Sequence, residues 1–127
     1  TGGGTPKPFM EKFKAAGIKV IAVLPSVKIT QKMEEIGVDA VVAEGTEAGG
    51  HVGETTPMAL VRQVVSAVNI PVIAAGGIAA GHGMAAVYGL GASGVLIGTL
   101  FLVSEECLVP PRFKHAVLYD SDTTTAV

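Results

Sequence analysis

The sequence is poor in cysteine, in charged residues and in aromatic residues, and each shortage excludes a class of protein. Cys107 is the single cysteine among 127 residues, so no disulfide can form within the chain, and we expect a cytoplasmic rather than a secreted protein. Charged residues make up 16%, aromatic residues 5%, and the net charge is −2. The chain therefore lacks the basic surface that nucleic-acid binding requires. We interpret Cys107 as an incidental surface thiol rather than a nucleophile.

Residues 63–104 carry no Asp, Glu, Lys or Arg, and by length alone this stretch could cross a bilayer. Asn69, Pro71, His82 and several glycines divide it into short pieces. The strands and helices of a buried parallel sheet have the same composition. Because 49% of all residues are hydrophobic, the chain can form a substantial core, and we expect no membrane span.

Glycine is abundant, at 17 residues, and most of the glycines lie just before or just after short apolar runs. Four such runs predict strands covered on both faces, namely Val20–Leu24, Ala40–Ala43, Val72–Ala75 and Gly94–Ile97. Three of them begin three residues after a glycine, at positions 17, 37 and 91. Such a glycine fits the residue that ends a helix with a positive φ.

The intervening segments predict helices. Ser26 fits an N-cap for a helix with Ile29, Met33 and Ile36 on one face. Thr56 followed by Pro57 marks the start of the next helix, which continues with Leu60, Val64 and Val68. Residues 82–90 predict a short helix of small residues, and Pro8–Ala16 an earlier helix with Phe9 and Phe13 on one side.

Strands that alternate with helices predict an α/β fold with a parallel sheet and right-handed crossovers. A doubly wound sheet and half of a (β/α)₈ TIM barrel both fit this pattern. A complete TIM barrel needs about 250 residues. We therefore interpret residues 1–127 as the C-terminal part of a single TIM-barrel domain, supplying roughly the last four to five βα units.

Glycine-rich segments follow two neighbouring strands, where function gathers in parallel α/β folds. Gly76 and Gly77 follow the third strand, and Gly98 and Thr99 follow the fourth. Free backbone N–H groups and one hydroxyl at such positions favour a phosphate site. The alternative interpretation is that each glycine pair only permits a tight turn.

His51 follows the glycine-rich end of the second strand directly. Imidazole titrates near neutral pH and is suited to proton transfer. A surface loop histidine is an equally good interpretation from the residues alone. Glu44 and Glu47 precede it and either orient it, line the pocket or are plain exposed carboxylates. The three histidines show no metal-ligand spacing, so we expect no metal site.

Three motifs in order resemble the nitronate monooxygenase (2-nitropropane dioxygenase) family: residues 43–51, residues 73–78 and the pair 98–99. Residues 24–27 and 55–64 resemble in particular its FMN-dependent enoyl-acyl-carrier-protein reductase II branch. The resemblance implies FMN contacts from a set of small residues, namely Gly49, Gly50, Ala75, Gly76, Gly77, Gly98 and Thr99. It also implies that His51 is the catalytic base of the monooxygenases and lines the active site of the reductases.

The resemblance implies an FMN-dependent oxidoreductase of fatty acid biosynthesis that reduces 2-enoyl-acyl-carrier-protein thioesters with NAD(P)H as co-substrate. Its substrate would be a small molecule or bound to acyl carrier protein. The sequence leaves the oligomeric state open, with a homo-oligomer as one option. The alternatives are a nitronate monooxygenase that oxidises nitroalkanes with O₂, an inactive half barrel and a phosphate-binding barrel without flavin. One departure from the family is Leu100, which stands where the family usually has arginine.

Overall fold

A computed structural model describes residues 4–50 and 53–121, and the chain divides into two compact units, Thr1–Leu96 and Ile97–Val127. The first unit holds a parallel sheet of β1 (Ile21–Leu24), β2 (Ala40–Glu44), β3 (Val72–Ala75) and β4 (Gly94–Leu96). Its helices are a short 3-10 turn (Lys7–Phe9), α1 (Met10–Ala15), α2 (Val27–Glu35), α3 (Pro57–Ala67) and α4 (Gly81–Gly89). The second unit holds α5 (Thr99–Leu102) and α6 (Pro111–Tyr119).

The four strands lie side by side in chain order, β1-β2-β3-β4, and all neighbouring pairs are parallel. Doubly wound sheets reverse their strand order at a switch point, whereas consecutive units of a barrel do not. The observed order is therefore that of successive units of a TIM barrel. All four predicted strands are confirmed, each within one residue at either end.

The core lies where α3 covers the sheet. Val41 and Val42 of β2 are buried almost completely, as are Leu60, Val61 and Val64 of α3. Complete burial of one such side chain contributes about 1.5–3 kcal/mol. Because β2 is buried along four consecutive residues, it is covered on both faces, as its continuous apolar sequence predicts.

The glycines predicted to end helices do so in one recurring geometry. Gly17, Gly37 and Gly91 have φ values of 69°, 85° and 96°. In each case the glycine N–H donates to the carbonyl oxygen three residues earlier, and the following N–H donates to the carbonyl oxygen five residues earlier. At Gly37, for example, Gly37 N donates to Glu34 O at 2.9 Å and Val38 N donates to Met33 O at 3.2 Å. This is the Schellman motif, which uses the last free carbonyls of a helix before the chain enters a strand.

The predicted details of α2 are partly wrong. Ser26 stands at the N-cap, but its side chain makes no capping bond. Its carbonyl oxygen instead accepts the N–H of Thr30 at 3.1 Å and the Thr30 hydroxyl at 2.9 Å. With its hydroxyl bonded in this way, Thr30 is completely buried together with Met33, while Ile29 is 39% exposed. The buried face is therefore rotated away from Ile29, and Ile36 lies just past the end of the helix.

The start of α3 follows the prediction, whereas its end does not. Thr56 is extended at the N-cap, without a side-chain capping bond, and Pro57 is the first helical residue. Val68, predicted to continue the apolar face, lies beyond the helix in extended backbone. Its helical periodicity is lost because the chain turns toward β3 four residues later.

The helices of the described ranges are short. None of those in residues 4–50 and 53–121 is long and apolar enough to cross a membrane. Within the second unit, the Lys114 ammonium donates to the Ser104 carbonyl and the rings of His115 and Tyr119 lie 4.6 Å apart. Cys107 in this unit is half-buried.

Candidate functional site

The loop between β2 and α3 lies at the carboxyl edge of the sheet, where the sequence predicts the site. The loop closes at its base by a hydrogen bond from Thr46 N to Thr55 O at 3.1 Å. Beside it, Gly45 N donates to Ala75 O at 3.2 Å, and Ala48 N donates to Gly45 O at 3.1 Å. These bonds hold the first residues of the loop against the end of β3.

Two glycines allow this loop to pack directly against prolines. A Cβ at Gly45 would lie 2.5 Å from both the backbone nitrogen and Cδ of Pro57, the first residue of α3. A Cβ at Gly53 would lie 2.6 Å from Cβ of Pro25, which follows β1. Neither distance is found for real side chains, so both positions require glycine. The loop thus contacts the end of β1 and the start of α3 through positions that the sequence analysis did not single out.

The turn after β3 presents unused hydrogen-bond donors. Gly76 and Gly77 have φ values of 99° and 65°, a backbone conformation that glycine adopts without strain. In the described ranges, no backbone hydrogen bond uses the N–H of Gly76, Gly77 or Ile78. Successive N–H groups of this kind form a concave site for an anion. The donor set therefore fits the phosphate group that the sequence analysis predicts here.

Gly76 and Gly77 also allow the loop after β2 to approach the turn after β3 closely. A Cβ at Gly76 would lie 3.0 Å from Ala48 N and 3.2 Å from Pro57 Cγ. A Cβ at Gly77 would fall on the carboxylate of Glu47 and lie 3.2 Å from Glu47 Cβ. The turn after β3 and the loop after β2 are thus in direct contact, which no reasoning from sequence spacing could show. This contact gives a reason for glycine at both positions that does not depend on a ligand.

The predicted catalytic residue, His51, lies outside the described residues. Of its predicted neighbours, Gly50 has a φ of 92°, and a Cβ at Gly49 or Gly50 would meet nothing within 4 Å. Glu44 is half-buried and lies opposite Ala75 in the sheet register, and Glu47 is exposed. Within the first unit, the structure therefore brings the loop that continues to position 51 next to Ala75, Gly76 and Gly77.

Gly98 and Thr99 belong to the second unit, at the start of α5. Gly98 stands at the N-cap with φ −110°, and its carbonyl accepts Phe101 N at 3.0 Å. A Cβ at Gly98 would meet nothing within 4 Å. Backbone packing within the chain thus gives no reason for glycine at this position, and the role of the pair in phosphate binding stays a prediction.

The other two histidines are helical and exposed. His82 lies in the first turn of α4, as the sequence predicts, and His115 lies on α6. The part of the chain that the structure describes contains no group of three or more His, Cys, Asp or Glu residues able to hold a metal ion.

The clearest electrostatic interaction lies at the opposite, amino edge of the sheet. The Asp39 carboxylate accepts the Lys19 ammonium at 2.8 Å and the Val20 N–H at 2.8 Å. The hydrogen bond from Lys19, followed by that from Val20, lowers the pKa of Asp39 below its ordinary value. The same pair raises the pKa of Lys19. Because both groups are exposed to solvent, this interaction stabilises the strand connection only modestly.

Consecutive parallel βα units whose strands lie side by side in chain order define a class, the TIM barrels. Within that class the chain belongs to the nitronate monooxygenase family, whose model matches residues 1–127. This is a family of oxidoreductases, as the resemblance of the three sequence motifs predicts.

Curated relatives agree with this assignment. The chain is 43% identical over 129 residues to a probable nitronate monooxygenase of Staphylococcus saprophyticus, covering 93% of the chain and 36% of the relative. It is 45% identical over 107 residues to (3aS,4S,5R,7aS)-5-hydroxy-7a-methyl-1-oxo-octahydro-1H-indene-4-carboxyl-CoA dehydrogenase of Rhodococcus jostii, covering 84% of the chain and 30% of the relative. The chain spans about a third of the length of these relatives.

Solved structures show the same relationship. FabK from Thermotoga maritima matches with a TM-score of 0.91 and 48% identity, over 94% of this chain and 39% of that one. A nitroalkane oxidase from Streptomyces ansochromogenes matches with a TM-score of 0.81 and 34% identity, over 87% of this chain and 35% of that one. The predicted fold, an α/β TIM barrel of which this chain supplies a part, is confirmed. That this part is the C-terminal one stays a prediction.

Proposed function

We propose that the chain is part of an FMN-dependent oxidoreductase that uses NAD(P)H to reduce 2-enoyl thioesters of acyl carrier protein. The observation that carries the proposal is the set of N–H groups of Gly76, Gly77 and Ile78, which donate no backbone hydrogen bond within residues 4–50 and 53–121 and lie directly beside the loop that leads to position 51. These groups would hold the phosphate of a flavin at the carboxyl edge of the sheet, where active sites of TIM barrels lie.

Each group of the chain has a limited task in this proposal. The N–H groups after β3 bind the phosphate, since no Lys or Arg stands between Arg62 and Glu105 to neutralise it. By the family resemblance, Gly98 and Thr99 of the second unit are also phosphate-binding residues. Bound FMN supplies the hydride chemistry, and the protein supplies position and electrostatics. His51 holds or moves a proton at the substrate.

Two likenesses favour a thioester substrate over a nitroalkane. One relative, at 45% identity, is by its name a dehydrogenase of a coenzyme A thioester. The chain is also more similar to FabK of T. maritima than to a nitroalkane oxidase, at 48% against 34% identity. A thioester that enters along the carboxyl edge would meet Glu44, at the end of β2, and Glu47, in the loop after it.

A flavin titration followed by an activity assay tests this proposal. We expect FMN added to the purified chain to show a shifted visible spectrum, and NADH oxidation to depend on an added 2-enoyl thioester. Gly77→Val, whose side chain would occupy the space of the Glu47 carboxylate, should weaken FMN binding at least tenfold. Gly89→Ala, at the end of α4 with nothing within 4 Å of its Cβ, is the matched control and should bind FMN normally.

A nitronate monooxygenase is the second candidate, favoured by the relative of that name at 43% identity. Here His51 removes a proton from the nitroalkane, and O₂ is the oxidant. Oxygen consumption that requires a nitroalkane, with no response of NADH oxidation to the enoyl thioester, would replace the reductase proposal with this one. A folded chain that binds no flavin would contradict both and favour an inactive half barrel.

A further inference from the structure

We infer that Glu47 limits the affinity of the Gly76–Gly77 turn for phosphate, because its side chain occupies the approach to Gly77. This inference rests on the proposed function, in which the turn binds the phosphate of FMN. It assigns to Glu47 a role in selecting the ligand, rather than a role in proton transfer beside His51.

The geometry places the Glu47 side chain over the turn. The space next to the Gly77 Cα, where a Cβ would lie, is taken by the Glu47 carboxylate, with Glu47 Cδ at 2.9 Å and Cβ at 3.2 Å from that point. On the neighbouring residue, the corresponding point lies 3.3 Å from the Glu47 carbonyl carbon. Both the side chain and the backbone of Glu47 therefore cover the glycine pair.

Charge makes this arrangement unfavourable for a bound phosphate. A carboxylate and a phosphate at contact distance repel each other. A nearby cation could offset this repulsion, but in the described ranges the only ion pair is that of Lys19 with Asp39. No described cation thus compensates Glu47. The negative charge of a phosphate on the N–H groups of Gly77 and Ile78 would require the carboxylate to turn away.

Glu47 is able to make this movement. The residue is exposed, and its carboxylate accepts none of the described side-chain hydrogen bonds. The backbone at this point is held by the Ala48–Gly45 and Thr46–Thr55 hydrogen bonds, so the side chain can rotate without movement of the loop. Phosphate binding therefore carries the electrostatic cost of displacing one exposed carboxylate, which an uncharged residue would not impose.

Binding of FMN and of riboflavin, which lacks the phosphate, tests the inference. Both flavins are titrated into the wild-type chain, Glu47→Gln and Glu54→Gln, with circular dichroism to confirm folding. We expect Glu47→Gln to lower the Kd for FMN about three- to tenfold at low salt, and to leave the Kd for riboflavin unchanged. Glu54→Gln removes an equally exposed charge from the same loop and should change neither Kd by as much as twofold.

Raising the salt concentration should reduce the gain of Glu47→Gln, because an exposed charge is screened. The inference is overturned if wild type binds FMN and Glu47→Gln binds it no more tightly, or if Glu54→Gln produces the same gain. If folded wild type and Glu47→Gln both fail to bind FMN, the phosphate site itself fails and the proposed function fails with it. Binding by Glu47→Gln alone would support the inference strongly.

Discussion

The two edges of the sheet in the first unit are built in different ways. At the amino edge, side chains link separate elements: Asp39 bonds to Lys19 and Val20, and Glu34 Oε1 accepts Asn69 N at 2.7 Å. At the carboxyl edge, the described side-chain hydrogen bonds link no separate elements of this unit, and contact is made by glycines packed against prolines and backbone. One edge is fastened by polar side chains and the other by close packing.

The polar groups that stabilise the sheet therefore differ from those that are available to a ligand. Side-chain hydrogen bonds at the amino edge use up the polar groups that they join. Close backbone packing at the carboxyl edge holds the loop after β2 in place and leaves the N–H groups of Gly76, Gly77 and Ile78 for a ligand. This division agrees with the general rule that the amino face of a TIM barrel serves stability and the carboxyl face serves function.

The largest effect is expected at the carboxyl edge, from Gly45→Ala. Its Cβ would meet the backbone nitrogen and ring of Pro57 at 2.5 Å, and a backbone atom cannot yield without movement of α3. We expect a loss of about 2–3 kcal/mol in the free energy of unfolding, measured by urea denaturation. Gly49→Ala in the same loop, where a Cβ meets nothing within 4 Å, should change it far less. Equal losses in both variants would show that packing is not the cause.

A smaller effect is expected at the amino edge, from Gly37→Ala. The neighbour that its Cβ would meet is the end of the flexible Lys14 side chain, which can move aside. The remaining loss in the free energy of unfolding comes from placing alanine at the positive φ of 85°, and we expect about 1–2 kcal/mol. Unfolding of the double variant Gly37→Ala, Lys14→Ala distinguishes the two causes. Recovery of full stability in that variant would mean that the contact, rather than the backbone, is responsible.

The smallest effect is expected from Asp39→Asn, which removes the charge and keeps an acceptor for Val20 N–H. Because the pKa of Asp39 is lowered in the folded chain, its charge stabilises the fold at neutral pH. That contribution is lost as the pH falls below the ordinary carboxyl pKa and through the lowered one. Thermal unfolding should show a slightly lower Tm for the variant at pH 7 and equal Tm values at about pH 2. A difference that persists in acid would contradict the lowered pKa.

Patterns of neighbouring residues predicted the fold well. The apolar runs gave all four strands, and the glycines at 17, 37 and 91 were predicted to have positive φ and do. These features depend on backbone conformation a few residues long, which local sequence determines. Ser26 was correctly placed at the N-cap, but its hydroxyl makes no capping bond, and its carbonyl oxygen instead contacts the helix, through the N–H and hydroxyl of Thr30.

The site was only partly predictable. The glycines after β3 were singled out, but the contacts of Gly45 with Pro57 and of Gly77 with Glu47 were not. The first contact joins the two ends of one long loop and the second joins two different loops, so both depend on tertiary packing that spacing does not encode. Glu47 in particular carries no local signal that separates it from an ordinary exposed carboxylate. The role of His51 stays a prediction.

The hydrogen bond between Thr46 and Thr55 has a consequence for how a family with this loop can diversify. It fixes the two ends of residues 47–54 beside each other, so the sheet does not depend on the length of chain between them. Doubling the length of such a closed segment costs only about 0.6 kcal/mol in chain entropy. Insertions and exchanges within this segment can therefore reshape the space above the sheet, and with it the choice of substrate, while the barrel units beneath stay the same.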